Sequence, residues 1–493
     1  MPLRRDEWLD LARKVDWTFS YVDEREVYPE EVSGAPWLAH SAWENWTEAY
    51  RTSYREYVEN QRAKDDSVMA VRDALNKPRL NAGLDPGWLE LVKFHSGVLA
   101  LGEYAAVPAE LRMARFGRDS AWRTMSLLGA LDEIRHTQIP LLINHDLLRH
   151  DARFDWTHKA YHTNQWVILA VRHLFEDMFV AASAVDTALQ HNFVFETGFS
   201  NLQFMALAAM ADRADHHLFE KALTSIQTDE SRHAQIGHPV LRTLLEEGFR
   251  DEAQFVLDKM WWRSWRGMLA LTGPAMEYLT PLAARTRSFK EFMEEWVIDQ
   301  FMKNLEDFGL DRPWFWDTFV DELDCAHHSF QLGLYRYRTT LWFDVPSPDA
   351  AEREWLRAKY PDWGTTFEPL WDRVEAAWAA GDEAGTLSSA LPALCNLCQM
   401  PTLFMRPGRN TACTLSHGGR RYLFCSEPCR WIFQRQSDRF AGHRSVVDRI
   451  AAGEAPGELL DLHAWMGLDG PADMGRDLRR GLDPWRMEPV PTY

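Results

Sequence analysis

No excess of positive charge is present in this chain. It carries 54 Lys and Arg against 73 Asp and Glu, a net charge of −19. Nucleic acid is therefore excluded as a main partner, because holding phosphates needs a basic surface. Uncharged apolar runs of about 18 residues, the rough minimum for a membrane span, are also lacking. The nearest approach, 197–211, is interrupted by Thr197, Ser200, Asn201 and Gln203. The opening residues Met1–Trp8 turn acidic at once and hold no apolar signal region, so a cytoplasmic protein is expected. Six cysteines in 493 residues are too few for a disulfide scaffold. There is no Gly-x-Gly-x-x-Gly with an acidic ribose partner, and no ferredoxin-type cysteine pattern. Any redox chemistry must draw its electrons from another protein. Strand signals are sparse.

What the sequence does hold is one short phrase twice. Glu133-Ile134-Arg135-His136 and Glu230-Ser231-Arg232-His233 are both Glu-x-x-His, each preceded by an aspartate, Asp132 or Asp229. On a helix, residues three apart share a face, so each phrase aims a carboxylate and an imidazole the same way. Upstream of each lies a glutamate in a mostly apolar stretch. Glu103 precedes Glu133 by 30 residues and Glu196 precedes Glu230 by 34, room for a helix, a turn and a return helix. A bare carboxylate is costly to bury unless paired or metal-bound. Four glutamates and two histidines in this order form the ligand set of a carboxylate-bridged di-iron site in a four-helix bundle. Four carboxylates also neutralise two Fe(II) ions.

The fold expected is all-α: a ferritin-like four-helix bundle with extra helices, plus a small C-terminal cysteine-rich metal-binding segment. Residues 1–85 read as an aromatic-rich N-terminal arm broken by Pro29, Gly34 and Pro36. Residues 86–342 read as the di-iron helical domain, with helices over 88–116, 120–148, 163–188, 190–211 and 214–247. Residues 343–390 form a linker with helices, 391–445 the cysteine segment and 446–493 a tail, whose part beyond Gly467 is expected to wrap the surface. Pro108 and Pro140, close after Glu103 and His136, should either end or bend their helices. Cys395 and Cys398, then Cys425 and Cys429, have the spacing of a structural Cys₄ zinc site. A rubredoxin-like iron site could use the same four thiols, and four unrelated buried thiols are the bland reading. Twenty-three tryptophans and 26 phenylalanines point to large-residue packing and protein contacts.

The order Glu103, Asp132-Glu133-x-x-His136, Glu196-Thr197-Gly198-Phe199-Ser200-Asn201 and Gln227-Thr228-Asp229-Glu230-Ser231-Arg232-His233 resembles the hydroxylase α-subunit of bacterial multicomponent soluble di-iron monooxygenases. Toluene monooxygenases and isoprene or alkene monooxygenases are nearest, and the cysteine pairs resemble those of phenol hydroxylase. The resemblance runs from about residue 6 to about 470. It implies that Glu103, Glu133 and His136 hold one iron and Glu196, Glu230 and His233 the other. Asp132 and Asp229 would fix the ligating imidazoles, with Arg135 and Arg232 completing an ion-paired network. Ser200 stands where the family usually has threonine, keeping the hydroxyl for proton delivery and losing a methyl. Asn201 and Gln227 match family residues near the site that are linked to effector binding and water access.

Spacing around the ligands nominates Leu99, Gly102, Ala106, Phe195 and Phe204 as pocket residues, and family alignment adds Phe175. For each alone, core packing is the competing reading. The resemblance further implies O₂ activation with hydroxylation of a small aromatic or epoxidation of a small alkene. It implies β and γ subunits in an (αβγ)₂ hexamer, an effector protein, and an NAD(P)H reductase with a Rieske-type ferredoxin.

His95, His145, His162, His191, His216, His217, His238, His327 and His328 lack ligand spacing and are expected to be structural or exposed. The ligand set by itself also permits a ferritin-like oxidase or storage protein, a desaturase or a ribonucleotide reductase subunit, although a storage ferritin would be far shorter. For the reductase, Tyr104 beside Glu103 points off the ligand face. A zinc-stabilised scaffold without catalysis is the non-enzymatic alternative.

Overall fold

The computed structural model describes residues 2–466, apart from 17, 35–37, 77–82, 149, 152, 155–156, 162, 181, 381–392, 403–410, 458–461 and 463–464. The tail expected to wrap the surface lies outside the described residues, as does His162.

The helices of the bundle and those packed around it are numbered in chain order. They are α1 (Tyr54–Asn76), α2 (Pro86–Phe116), α3 (Ser120–Leu147), α4 (Trp166–Phe175), α5 (Asn201–Arg213), α6 (His217–His233), α7 (Gly237–Glu246), α8 (Arg250–Pro274) and α9 (Ala326–Arg336). A π-helical segment, Ala188–Ser200, runs directly into α5. Helices α2, α3, α6 and the composite π–α5 rod form the bundle. Its two halves are successive hairpins, α2 with α3 and π–α5 with α6. The first hairpin is set by local chemistry. Asp85 caps α2 ahead of Pro86, and the Asp119 carboxylate accepts the N–H groups of Ala121 and Trp122 at the head of α3. Both helices run through their prolines, Pro108 and Pro140.

Three expected spans differ. The helix expected over 163–188 leaves α-geometry after Phe175 in a π-turn, Glu176–Val180, and restarts at Ala184 where the Ser183 hydroxyl accepts the N–H of Asp186. The one over 214–247 is split by a 3₁₀ turn, Ala234–Ile236. The rod over 190–211 is helical but begins with the wider π spacing. In the N-terminal region the chain does break at Gly34, where φ is +90° and an added Cβ would meet the Ser183 hydroxyl at 2.0 Å. Its last part is not an extended arm: α1 is a 23-residue helix lying on α6.

The aromatic excess is mostly internal. Trp88, Trp122, Trp166, Trp261, Trp262, Trp265 and Trp342 are fully buried. Trp261 stacks on Phe301 with ring centroids 3.9 Å apart. Beyond the bundle, β1 (Cys413–His417) and β2 (Arg420–Phe424) pair antiparallel and lead into α10 (Glu427–Arg435).

This C-terminal unit is tied to the bundle by charge. Buried Asp177 meets Lys259 at 3.1 Å and Arg439 at 2.6 Å, and despite burial these cations hold its carboxyl down to about 2. Beside it the rings of His173 and His443 stack at 4.3 Å. Burial, with Arg263 near both, lowers His173 to about 3 and His443 to about 4 from an ordinary 6.5. The unfolded chain therefore takes up protons at these sites before the folded one does. Stability from this pair is complete above pH 6.5 and is lost as pH falls towards 4. Thermal melts of the wild type and of His443→Phe across that window should show a flatter pH dependence in the variant. Parallel curves would contradict this reading.

Candidate metal centre and substrate cavity

The four bundle helices bring all six nominated ligands together. Glu103 comes from α2, Glu133 and His136 from α3, Glu196 from the π segment, and Glu230 and His233 from α6. Their ligating atoms fall into two overlapping groups, each within 4.8 Å. One is Glu103, Glu133, His136 and Glu230; the other is Glu133, Glu196, Glu230 and His233. Glu133 and Glu230 belong to both, so these two carboxylates stand between two cation positions. His136 Nδ1 lies 3.0 Å from Glu230 Oε1, and His233 Nδ1 lies 3.1 Å from Glu133 Oε1.

The donor atoms fit a pair of cations. Both Glu133 oxygens, Glu230 Oε1, His136 Nδ1 and His233 Nδ1 are buried without a hydrogen bond of acceptable geometry. So many buried lone pairs are costly unless something positive sits among them. The electrostatics agree. Burial drives Glu103 up to about 7, and burial with repulsion from Glu133 and Glu196 drives Glu230 well above the carboxylate range. Glu133 resists its burial only because His136 and His233 hold it down to about 2.

The outer nitrogens of the two histidines are held crosswise. His136 Nε2 faces Asp229 at 3.3 Å and His233 Nε2 faces Asp132 at 3.1 Å. Arg135 pairs with Asp229 at 3.1 Å, and Arg232 pairs with Asp132. Each motif thus orients the histidine of the other, which locks α3 to α6. A ligating histidine needs its second nitrogen fixed in this way. Helix α1 closes the network. The Tyr57 hydroxyl donates to Asp132 at 2.9 Å, Gln61 donates to both aspartates at 2.7 Å, and the Lys64 ammonium donates to Asp229 at 2.5 Å. Their spacing, i, i+4, i+7, places them on one helical face.

On the opposite side lies a cavity of ≈ 60 Å³. Leu99, Gly102, Ala106, Phe175, Phe195 and Phe204 all line it, together with Glu103, Glu230 and Ser200. Gly102 is required by shape, since a Cβ there would meet the Phe175 ring at 2.5 Å. Ser200 is buried and its hydroxyl makes no hydrogen bond. Asn201 and Gln227 are placed differently. The Gln227 amide and the Ser231 hydroxyl both donate to Asn201 Oδ1, at 3.3 and 3.1 Å, and neither Asn201 nor Gln227 lines the cavity.

Two residues beyond the nominated set join the site. His191, expected to be structural or exposed, lines the cavity and sets Nε2 2.9 Å from Glu196 Oε1. Glu110, fully buried, reaches the same spot. A spacing of seven from Glu103 could have exposed Glu110. The spacing of five between His191 and Glu196 carries no signal in an α-helical reading. Tyr104, by contrast, is 57% exposed, which removes it as a radical site.

Two further clusters deserve comparison. Cys395, Cys398, Cys425 and Cys429 are buried with their sulfurs within 4.8 Å of one another. Cys398–Cys425 and Cys425–Cys429 separations are 3.7 and 3.5 Å. Four sulfurs about 2.3 Å from a tetrahedral ion lie about 3.8 Å apart, so the spacing suits a metal and is far too long for disulfides. Glu277, His327 and His328 also converge. Here the carboxylate is already used: Oε1 accepts from the Phe289 N–H at 2.7 Å and from the Tyr360 hydroxyl, and Oε2 faces His327 Nε2 at 2.7 Å. A cation would have to break these bonds, so this cluster is a structural tie between helices.

The similarity to known proteins agrees with the geometry. The profile of the methane/phenol/alkene hydroxylase family matches residues 17–248. The chain is 41% identical, over 97% of its length and 96% of the relative's, to the oxygenase component subunit alpha of the alkene monooxygenase system of Xanthobacter autotrophicus. It is 26% identical, over 92% of its length and 88% of the relative's, to the oxygenase component of phenol 2-monooxygenase from a Pseudomonas strain. In fold it matches the crystal structure of phenol hydroxylase from Pseudomonas sp. OX1 with a TM-score of 0.87, at 24% identity and 97% coverage of both chains. Among the described residues no helix is long and apolar enough to cross a membrane. The chain belongs to the methane/phenol/alkene hydroxylase family and is the large oxygenase subunit of a multicomponent monooxygenase.

Proposed function

We propose that this chain uses a di-iron centre to insert one oxygen atom of O₂ into a small hydrocarbon, with alkene epoxidation as its main reaction. The observation that carries the di-iron reading is the set of buried, unbonded carboxylate and imidazole atoms shared between two cation positions. Identity of 41% to an alkene monooxygenase subunit, against 26% to a phenol monooxygenase one, favours the alkene over the arene.

Glu103, Glu133 and His136 would hold one iron, and Glu196, Glu230 and His233 the other, with Glu133 and Glu230 within reach of both. Bound there, the iron pair supplies the two-electron reduction of O₂ that makes oxygen insertion possible. The protein supplies the rest. Asp132 and Asp229 keep each imidazole's ligating nitrogen aimed inward. Phe175, Phe195, Phe204 and Leu99 exclude water and present an apolar wall to a hydrocarbon. The Ser200 hydroxyl can take or give a proton at Oγ inside this dry space.

The four cysteines are proposed to hold structural zinc, on the sulfur spacing given above. Electrons would come from NAD(P)H through a reductase and a Rieske-type ferredoxin. An effector protein and β and γ subunits, in an (αβγ)₂ hexamer, would complete the system. The membership in a multicomponent family supports this set.

Cells carrying the complete gene cluster, offered propene, isoprene, toluene and phenol in parallel, should yield epoxides from the two alkenes with weaker arene turnover. Cresols from toluene as the dominant product would move the enzyme to the arene hydroxylases. No oxygenated product from any of the four would contradict the proposal.

A further inference from the structure

Glu196 enters the ligand cluster already gripped from its own helix. Its Oε1 lies 2.9 Å from His191 Nε2, and its Oε2 accepts from the Asn192 amide at 2.8 Å. The same oxygen that meets His191 is 3.4 Å from His233 Nδ1, so one carboxylate atom faces both the cluster and a side chain outside it.

The local backbone makes this possible. In an α-helix a residue five positions away is rotated by about 140°, and His191 would point elsewhere. The wider π turn over Ala188–Ser200 brings positions i−5 and i−4 to flank Glu196 together. Behind them stands Glu110. Its Oε1 accepts from the Asn192 amide at 3.2 Å and lies 3.9 Å from His191 Nδ1. Its Oε2 occupies space that exists because position 129 of the facing helix is glycine: a Cβ on Gly129 would meet that oxygen at 2.8 Å. The ring of Phe179 stands edge-on to His191 with centroids 4.4 Å apart, closing the remaining side. A buried glutamate, a glycine slot cut for it, an asparagine bridging two carboxylates and a locally widened helix all converge on one ligand.

We propose that His191 is a positioning residue for Glu196, donating its Nε2–H to Oε1 and so holding that oxygen at a fixed distance from the second cation position, with Asn192 and Glu110 as its backing. This rests on the di-iron reading and deepens it. Glu103, at the other position, is grouped with the ligands Glu133, His136 and Glu230 and lines the cavity. The two cation positions are thereby made unequal, with the carboxylate at one of them anchored from outside the ligand set.

The test uses the assembled oxygenase, grown on ⁵⁷Fe, as wild type and as His191→Ala, His191→Gln and Glu110→Gln. Two irons per chain in the wild type is the first result required. Its absence would overturn the di-iron reading and this proposal with it. Given two irons, His191→Ala should shift the Mössbauer quadrupole splitting of one iron of the pair and leave the other unchanged. It should also lose about 10- to 100-fold in iron affinity or turnover, the usual cost of removing a partner of a metal ligand. His191→Gln, which keeps an N–H donor, should recover part of both. Glu110→Gln, which keeps the shape and should fold even where His191→Ala does not, should shift the same iron by less. Wild-type spectra and iron affinity in both His191→Ala and Glu110→Gln, or equal shifts at both irons, would overturn the assignment.

Discussion

Glu133→Ala, purified with its partner subunits, will contain less than one iron per chain and turn over alkene more than about 100-fold more slowly than the wild type. The size follows from position. Glu133 lies in both cation groups and is 3.1 Å from His233 and 3.5 Å from His136. Losing a residue that merely supports a ligand costs about 10- to 100-fold, and this change removes a carboxylate that both ions share. It also leaves two imidazoles facing an empty space with only three carboxylates to balance two cations. Iron content by plasma emission and epoxide formation by gas chromatography measure the two effects separately. Iron retained at two per chain with full activity would end the assignment of Glu133.

Cys429→Ala is the second large effect, and it tests the proposed zinc site. The expected result is loss of zinc with both irons retained, together with an early unfolding step confined to the C-terminal unit. The thiols sit at the end of β2, the start of α10 and the Cys395–Cys398 loop, so one ion would tie three pieces of chain at a single point. Structural zinc supplies folding free energy outright in units of this kind. The tie also reaches the bundle. The Trp262 indole N–H donates to Cys429 Sγ at 3.1 Å and Arg263 donates to the Leu397 carbonyl at 3.1 Å. Both residues lie on α8, which packs against the π segment that carries Glu196. Calorimetry with metal analysis would show this as a new low-temperature transition. A single unshifted transition, with zinc still bound, would contradict the Cys₄ assignment.

The sequence showed the site better than it showed the scaffold around it. The two Glu-x-x-His phrases are local patterns at helical spacing, and both survive into the structure because α-geometry holds across 133–136 and 230–233. The upstream glutamates showed by their apolar surroundings, and Glu196 joins the cluster although its segment is π-helical. Leu99, Gly102, Ala106, Phe195 and Phe204 were legible from their placing around Glu103 and Glu196, whereas Phe175 came from the family resemblance. The crosswise pairing of Asp132 with His233 and of Asp229 with His136 was not, since it depends on how α3 and α6 pack, and local spacing does not encode that. His191 escaped because the helix carrying it departs from the 3.6-residue period that made the ligands visible. Helix α1 looked like an arm because its upstream region is broken by Pro29 and Gly34. Its face of Tyr57, Gln61 and Lys64 gains meaning only once the two aspartates are known to lie beside it.

Mössbauer spectroscopy of the ⁵⁷Fe-enriched wild-type oxygenase tests the central claim most directly. Two high-spin irons per chain, coupled so that the oxidised protein shows no net magnetic moment at low temperature, are the result predicted by carboxylates shared between neighbouring positions. A single uncoupled iron, or a centre filled by zinc, would contradict it.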